Sequence, residues 1–176
     1  QKLTSGAGVD ERLVTSDQNT SPTSWSGDGR FLLCHSVDPQ TATDFWILPM
    51  AGERKPSVFL KTPFREVWGR FSPDGRWVAY QSSESGRPEI YIRPFVPPGA
   101  TGASPATAGQ WQVSTEGGTY PVWGPDGKEL YYLNPAGAMV AAPIAVTGIT
   151  LAPGAPVVLF PARVWGGGVD VQQGWQ

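Results

Sequence analysis

The chain has 176 residues, 13 basic and 15 acidic side chains and a net charge of −2; its basic residues are scattered singly, which excludes the massed positive footprint of a nucleic-acid binder. Hydrophobic residues make up 40%, a globular composition. Glycine and proline punctuate the apolar runs, and none approaches the roughly 18 residues of a membrane-spanning helix. The length indicates one domain able to bury a real core.

One phrase recurs three times and sets the reading frame: Trp25-Ser26-Gly27-Asp28-Gly29-Arg30, Phe71-Ser72-Pro73-Asp74-Gly75-Arg76 and Trp123-Gly124-Pro125-Asp126-Gly127-Lys128. The aspartates are spaced 46 and then 52 residues apart. A period of about 40 to 50 residues built from short strands is that of a β-propeller blade. In chain order, residues 1–17 read as outer strands of an incomplete blade, with Gln1–Thr4 the tail of its third strand and Arg12–Val14 its fourth. Residues 18–62, 63–115 and 116–162 form three full blades. Residues 163–176 begin a following one, with Val169–Gln173 as its first strand.

Within each full blade, an Asp-Gly pair sits between two apolar runs, for example Val67–Phe71 and Trp77–Tyr80, or Pro121–Trp123 and Glu129–Leu133. That is a hairpin signal, because glycine supplies the positive φ of the turn without steric cost. The aspartates are read as turn residues, since one carboxylate per separate turn is too sparse for a hard-cation site. A third strand follows: Phe45–Leu48, Ile90–Arg93 and Met139–Ala142. Pro49, Pro94 and Pro143 are expected to close these strands, because proline cannot donate to a ladder. The fourth strands are Val58–Leu60, Trp111–Val113 and Val157–Phe160. Four strands joined by short links make an antiparallel meander, the unit of a propeller. The Pro-, Gly- and Ala-rich segment Val96–Gln110 is expected to be a mobile loop between the third and fourth strands of blade two. The expected fold is all-β: four-stranded antiparallel blades, three complete, with partial blades at both termini.

A single blade cannot hide both of its apolar faces, so blades must stack. Trp25, Phe71 and Trp123, at equivalent positions, are expected in the core between blades. The terminal remnants either pair with each other and close a ring or leave open edges for a second copy of the chain, because bare strand edges template association. Two chains of three blades would give six, or eight if the remnants form composite blades.

Up-and-down connectivity sorts the loops onto two sides. The Asp-Gly turns and Val96–Gln110 lie on one. The other carries Val37–Thr43, Ser83–Pro88 and Asn134–Ala138 together with the blade-to-blade links Thr62–Glu66, Thr115–Thr119 and Arg163–Gly168. This second side is more varied and polar, and function on such scaffolds lives mainly in loops. The candidate contact surface is Asp38, Arg65, Glu66, Glu84, Arg87 and, near the start of an inner strand, Tyr120.

The three Asp-Gly phrases, with Trp77-Val78-Ala79-Tyr80 and Glu129-Leu130-Tyr131-Tyr132 after the second and third, resemble the TolB-like, WD-like propeller repeats of bacteria. Phe71–Phe95 carries most of the likeness and is similar to the propeller region beyond the kinase domain of some bacterial serine/threonine kinases. Related propellers occur in periplasmic TolB and as gating domains of prolyl oligopeptidase-like enzymes. Blade one departs from the pattern, with Gly27 where the others have proline. The resemblance implies a binding or scaffold role across one face or along the central channel, favours an extracytoplasmic location, and carries over no catalytic residue.

An enzyme would need a nucleophile and a base held together. His35 is the sole histidine and Cys34 the sole cysteine. Both fall in the strand run Phe31–His35, where they read as a strand histidine and a buried inert thiol, and no G-x-S-x-G elbow is present. One cysteine excludes an intrachain disulfide. No metal, cofactor or phosphate site is expected: Cys/His clusters for zinc are missing, and Gly166-Gly167-Gly168 lacks the lysine of a phosphate-binding loop. The expected function is a non-catalytic interaction or scaffold module whose partner is another protein or a second copy of itself, with a regulatory or gating domain of a hydrolase or kinase as the alternative. Neither nucleic acid nor membrane insertion is expected. The chain opens inside a repeat without a leader pattern, which leaves export open.

Overall fold

The computed structural model describes residues 12–13, 19–100 and 109–162. The described residues form strands β1 (Thr20–Trp25), β2 (Phe31–Asp38), β3 (Ala42–Pro49), β4 (Ser57–Leu60), β5 (Glu66–Phe71), β6 (Trp77–Ser82), β7 (Glu89–Pro94), β8 (Trp111–Gln112), β9 (Thr119–Trp123), β10 (Glu129–Leu133), β11 (Ala138–Thr147), β12 (Thr150–Pro153) and β13 (Val157–Pro161), with no helix among them. Three antiparallel sheets result, in the orders β1-β2-β3-β4, β5-β6-β7-β8 and β9-β10-β11-β13, the last with β12 added beside β11. The expected all-β blade architecture is borne out as three blades of a partial propeller.

The turns form as their residues dictate. Gly29, Gly75 and Gly127 take φ of 72°, 70° and 71°. In blade two the Ser72 hydroxyl donates to Asp74 Oδ1 at 2.6 Å and accepts from the Trp77 N–H at 3.0 Å. Ser26 makes the same bracket in blade one, at 2.7 and 2.9 Å. The aspartates are thus occupied within their own turns. Hydrogen bonds from Ser26, then from Arg30, hold the Asp28 carboxyl down at about 2.

Successive strand residues face opposite sides, and this alternation builds the cores. Val78 and Tyr80 of β6 enter a layer against blade one, with Leu33, Phe45, Ile47, Phe71 and Phe95. Trp77 and Ala79 enter the layer against blade three, with Ile90, Ile92, Leu130, Tyr132 and Leu151. Every residue of β6 is therefore buried. The blade one–blade two layer is tight: a Cβ on Gly69 would lie 2.6 Å from Leu33 Cδ2 and 2.8 Å from the Phe45 ring. Strands β1, β5 and β9 lie against one another in that order and are the inner strands of the arc. Each carries a bulge, at Pro22/Ser24, Val67/Arg70 and Thr119/Val122.

Three expectations are corrected. Trp25 is not core: its side chain is 45% exposed, and its indole N–H donates to the Gly29 carbonyl. Phe71 faces blade one and Trp123 packs toward blade two, so one register position faces the preceding blade, and no described sheet precedes blade one. Pro143 does not close its strand. It pairs with Glu129 inside β11, which runs on to Thr147 and returns as β12, a strand the sequence reading lacked. Of the terminal remnants, Arg12 and Leu13 are outside any strand, and Leu13 packs on Leu32, Cys34 and Leu48. The other remnant residues, and 101–108 of the expected loop Val96–Gln110, lie outside the described residues.

Candidate functional site

The face opposite the Asp-Gly turns is organised by buried carboxylates at the blade junctions. At the start of β3, Asp44 is 1% exposed; its Oδ2 accepts from Thr41 Oγ1 at 2.7 Å and lies 3.5 Å from Lys61 Nζ. The equivalent residue of blade two, Glu89, is fully buried and better satisfied. It accepts from Arg87 Nε and from the Gly117 N–H, both at 2.8 Å, and from the Ser114 hydroxyl. These acids fasten the second-to-third-strand loop to the link into the next blade. Blade three has Ala138 at this position.

The six residues expected on this face separate into different roles. Asp38 accepts from Lys61 Nζ at 2.7 Å and from the Gln40 N–H at 2.8 Å, and these bonds, Lys61 first, hold its carboxyl at about 2. Arg65 is exposed, while its N–H donates to Ser83 Oγ at 3.1 Å and so ties the link to the neighbouring loop. Glu66 does not sit on the rim: it is 1% exposed at the head of β5. Its Oε1 accepts from Thr62 Oγ1 at 2.5 Å and Ser82 Oγ at 3.4 Å, and its Oε2 has no partner. Burial, reinforced by the nearby Asp44 and Glu84 carboxylates, pushes Glu66 up to about 7. Glu84 turns toward the outer strands, where it accepts from Gln110 Nε2; Gln110 in turn accepts from the Tyr80 hydroxyl at 3.0 Å. Arg87, exposed itself, bridges Glu89 and the Thr115 carbonyl.

Tyr120 leads to a residue that the sequence reading missed. Its ring meets that of Trp68, with centroids 4.9 Å apart and planes inclined at 49°. Both are half-buried, and both have positive φ, 59° for Trp68 and 56° for Tyr120. They occupy the bulges of β5 and β9, each six residues before the turn aspartate of its blade. A left-handed backbone costs a bulky L-residue about 1–2 kcal/mol. An inclined aromatic pair contributes only about 0.5–1.5 kcal/mol beyond its buried area. The ring–ring attraction alone therefore does not offset two left-handed residues; the area the rings bury adds to it. The shared spacing to Asp74 and Asp126 was the available signal for Trp68. Its counterpart in blade one, Pro22, cannot adopt positive φ.

Cys34 and His35 do not form a nucleophile–base pair. They are adjacent in β2 and so point to opposite faces. Cys34 is buried beside Leu32 and Leu48, and burial raises its thiol. His35 is lowered by burial and then by the Arg65 charge, and its Nδ1 has no partner. Among the described residues, no group of three or more His, Cys, Asp or Glu is arranged to hold a metal ion. An apolar hollow of about 250 Å³ between β3, β4 and residues 96–100 has no titratable lining.

No family model matches the chain, and no curated protein matches it. Solved structures do. A TolB from Agrobacterium tumefaciens superposes with a TM-score of 0.63 at 16% identity, over 89% of this chain and 56% of that one. TolB from Acinetobacter baumannii gives 0.57 at 15% identity, over 86% and 46%. This chain spans about half the length of the TolB chains it matches, and its fold is that of a TolB-like β-propeller.

Proposed function

We propose that the chain is a non-catalytic protein-interaction module whose contact surface is the face of blade-to-blade links. Asp38, Arg65, Glu84, Arg87 and Tyr120 present that surface, and Glu66 supports it from beneath. The observation carrying this reading is the fastening of these loops by buried Asp44, Glu66 and Glu89. Loops held to rigid sheets keep a fixed polar pattern, which lowers the ordering cost of binding. The likeness to TolB favours a place outside the cytoplasm. Photo-crosslinking residues placed at 65, 84 and 87, against controls at 28, 74 and 126 on the turn side, test the surface in native cells. Adducts from the first set alone are expected; adducts from both sets equally, or from neither, reject it.

Self-association is a second reading, favoured by β13. Val157, Val158, Leu159 and Phe160 are all between 45% and 61% exposed, on both faces of a sheet-edge strand. Such an edge invites strand addition by a second copy. Sedimentation is expected to give a dimer that Val158→Lys dissociates; a monomer at high concentration excludes this reading.

A further inference from the structure

We propose that Trp68 and Tyr120 form a cleft on the inner rim that receives a cationic side chain, arginine or lysine, from an extended partner segment. The proposal rests on the interaction reading above and assigns that surface its central contact.

The first support is the outlier itself. Glycine takes positive φ freely, and this chain uses it so at many turns. At two equivalent bulges it instead holds large aromatic rings in the same unfavourable conformation. The attraction between the two rings is by itself smaller than the cost of two left-handed residues, and part of each side chain stays accessible. Strain retained at matching places is the signature of a positioned ligand contact.

The second support is charge. On the surrounding loops Asp38 and Asp44 share one lysine, Lys61, and Glu89 is matched by Arg87. Glu84 and Glu116 add carboxyls, with Arg65 as the remaining base among the described residues of this face; Glu66 lies buried beneath it. Arg70, two residues from Trp68, directs its guanidinium to the Thr23 carbonyl of blade one instead. Aromatic faces are electron-rich and attract a desolvating cation, with tryptophan the strongest. An acidic rim concentrates cations further. An anionic segment or a phosphate backbone is disfavoured by the same charges.

The test uses N-acetyl-arginine amide and N-acetyl-lysine amide, with uncharged N-acetyl-norleucine amide as the apolar control. The indole N–H resonance of Trp68, assigned by its loss in Trp68→Phe, is followed by NMR. Saturable shifts at millimolar arginine or lysine probe are expected, at least five-fold weaker for norleucine. Trp68→Leu and Tyr120→Leu keep apolar volume while removing the π-faces, and each is expected to abolish the cation preference with strand dispersion in the spectrum intact. Equal response to norleucine, or a cation shift elsewhere on the protein that survives both leucine substitutions, overturns the proposal; so does no response to any probe. If crosslinks from positions 65, 84 and 87 persist in the Trp68→Leu/Tyr120→Leu protein while it shows no cation preference, the interaction surface stands and only the cleft fails. Absence of those crosslinks when both rings are intact rejects the surface itself, whereas their loss only in the leucine variant is the outcome the cleft predicts.

Discussion

Glu66 shows how a single side chain couples this fold to pH. Folded, its carboxyl titrates near 7, and in the unfolded chain near 4.5. Below 4.5 both states hold the proton and its contribution to stability is fully present. As pH rises toward and through 7, the unfolded chain releases that proton more readily, and stability is lost. Urea midpoints are expected to fall as pH rises from about 4.5 to about 7, and Glu66→Gln to flatten that fall; a variant with the same slope as the parent would assign it elsewhere. Asp38 acts in the opposite sense, its contribution disappearing only as pH drops through about 2. Trp68 and Trp77 supply a second residue-scale contrast. Trp77→Ala empties a core position and should cost about 3–5 kcal/mol. Trp68→Gly removes a half-buried ring but also releases a left-handed strain, and should change the unfolding free energy by no more than about 1 kcal/mol. Chemical denaturation of the two variants, compared with the parent, checks both figures.

At the scale of the element, the turn bracket is repeated unevenly. Blades one and two have Ser26 and Ser72 receiving the N–H of the second strand, whereas blade three has Gly124. Ser72→Ala leaves the buried Trp77 N–H without that partner and should destabilise by about 1–2 kcal/mol. A Cβ at Gly124 would meet the Glu129 carbonyl at 3.4 Å and the Tyr131 ring at 3.5 Å, close to ordinary contact. Gly124→Ser is therefore expected to complete the third bracket and stabilise by about 0.5–1 kcal/mol, read as a raised denaturant midpoint. Elements of this kind were legible in the sequence because they are local: Asp-Gly between apolar runs specifies a turn within a few residues. The reading of Pro143 failed because proline forbids a ladder bond only on its N–H side. The carbonyl of Pro143 still serves, accepting from Gly154 at 2.7 Å, and β11 goes on to pair with β12. Trp25 was misplaced because burial depends on what lies across from a strand, which no repeat phrase encodes. Trp68 was overlooked because a positive φ at a bulge arises from sheet register, not from residue preference.

At the scale of the whole molecule, the middle blade packs between two described blades and each outer blade against one. The close fit at Gly69 makes the first junction sensitive to small additions: Gly69→Ala forces Leu33 and Phe45 to move and should cost about 1–3 kcal/mol by chemical denaturation. Amide hydrogen exchange is expected to follow the same layering, slowest in β6 and β7 and fastest in β13, whose residues are all exposed. Equal protection of β6 and β13 would indicate that β13 is covered in solution. The packing order of the blades came from the three-dimensional arrangement; the repeat period conveyed only that blades must stack.

Cys34 lies under Leu13, Leu32 and Leu48 on the outward flank of blade one. It is the one sulfhydryl in the chain, so an alkylating reagent has a single target whose accessibility is set by that flank. The rate of its modification is thus a natural clock for how often the first blade breathes, and it needs no engineered label. Any molecule that settles over the flank will slow that clock, and any substitution that loosens the blade will make it run faster.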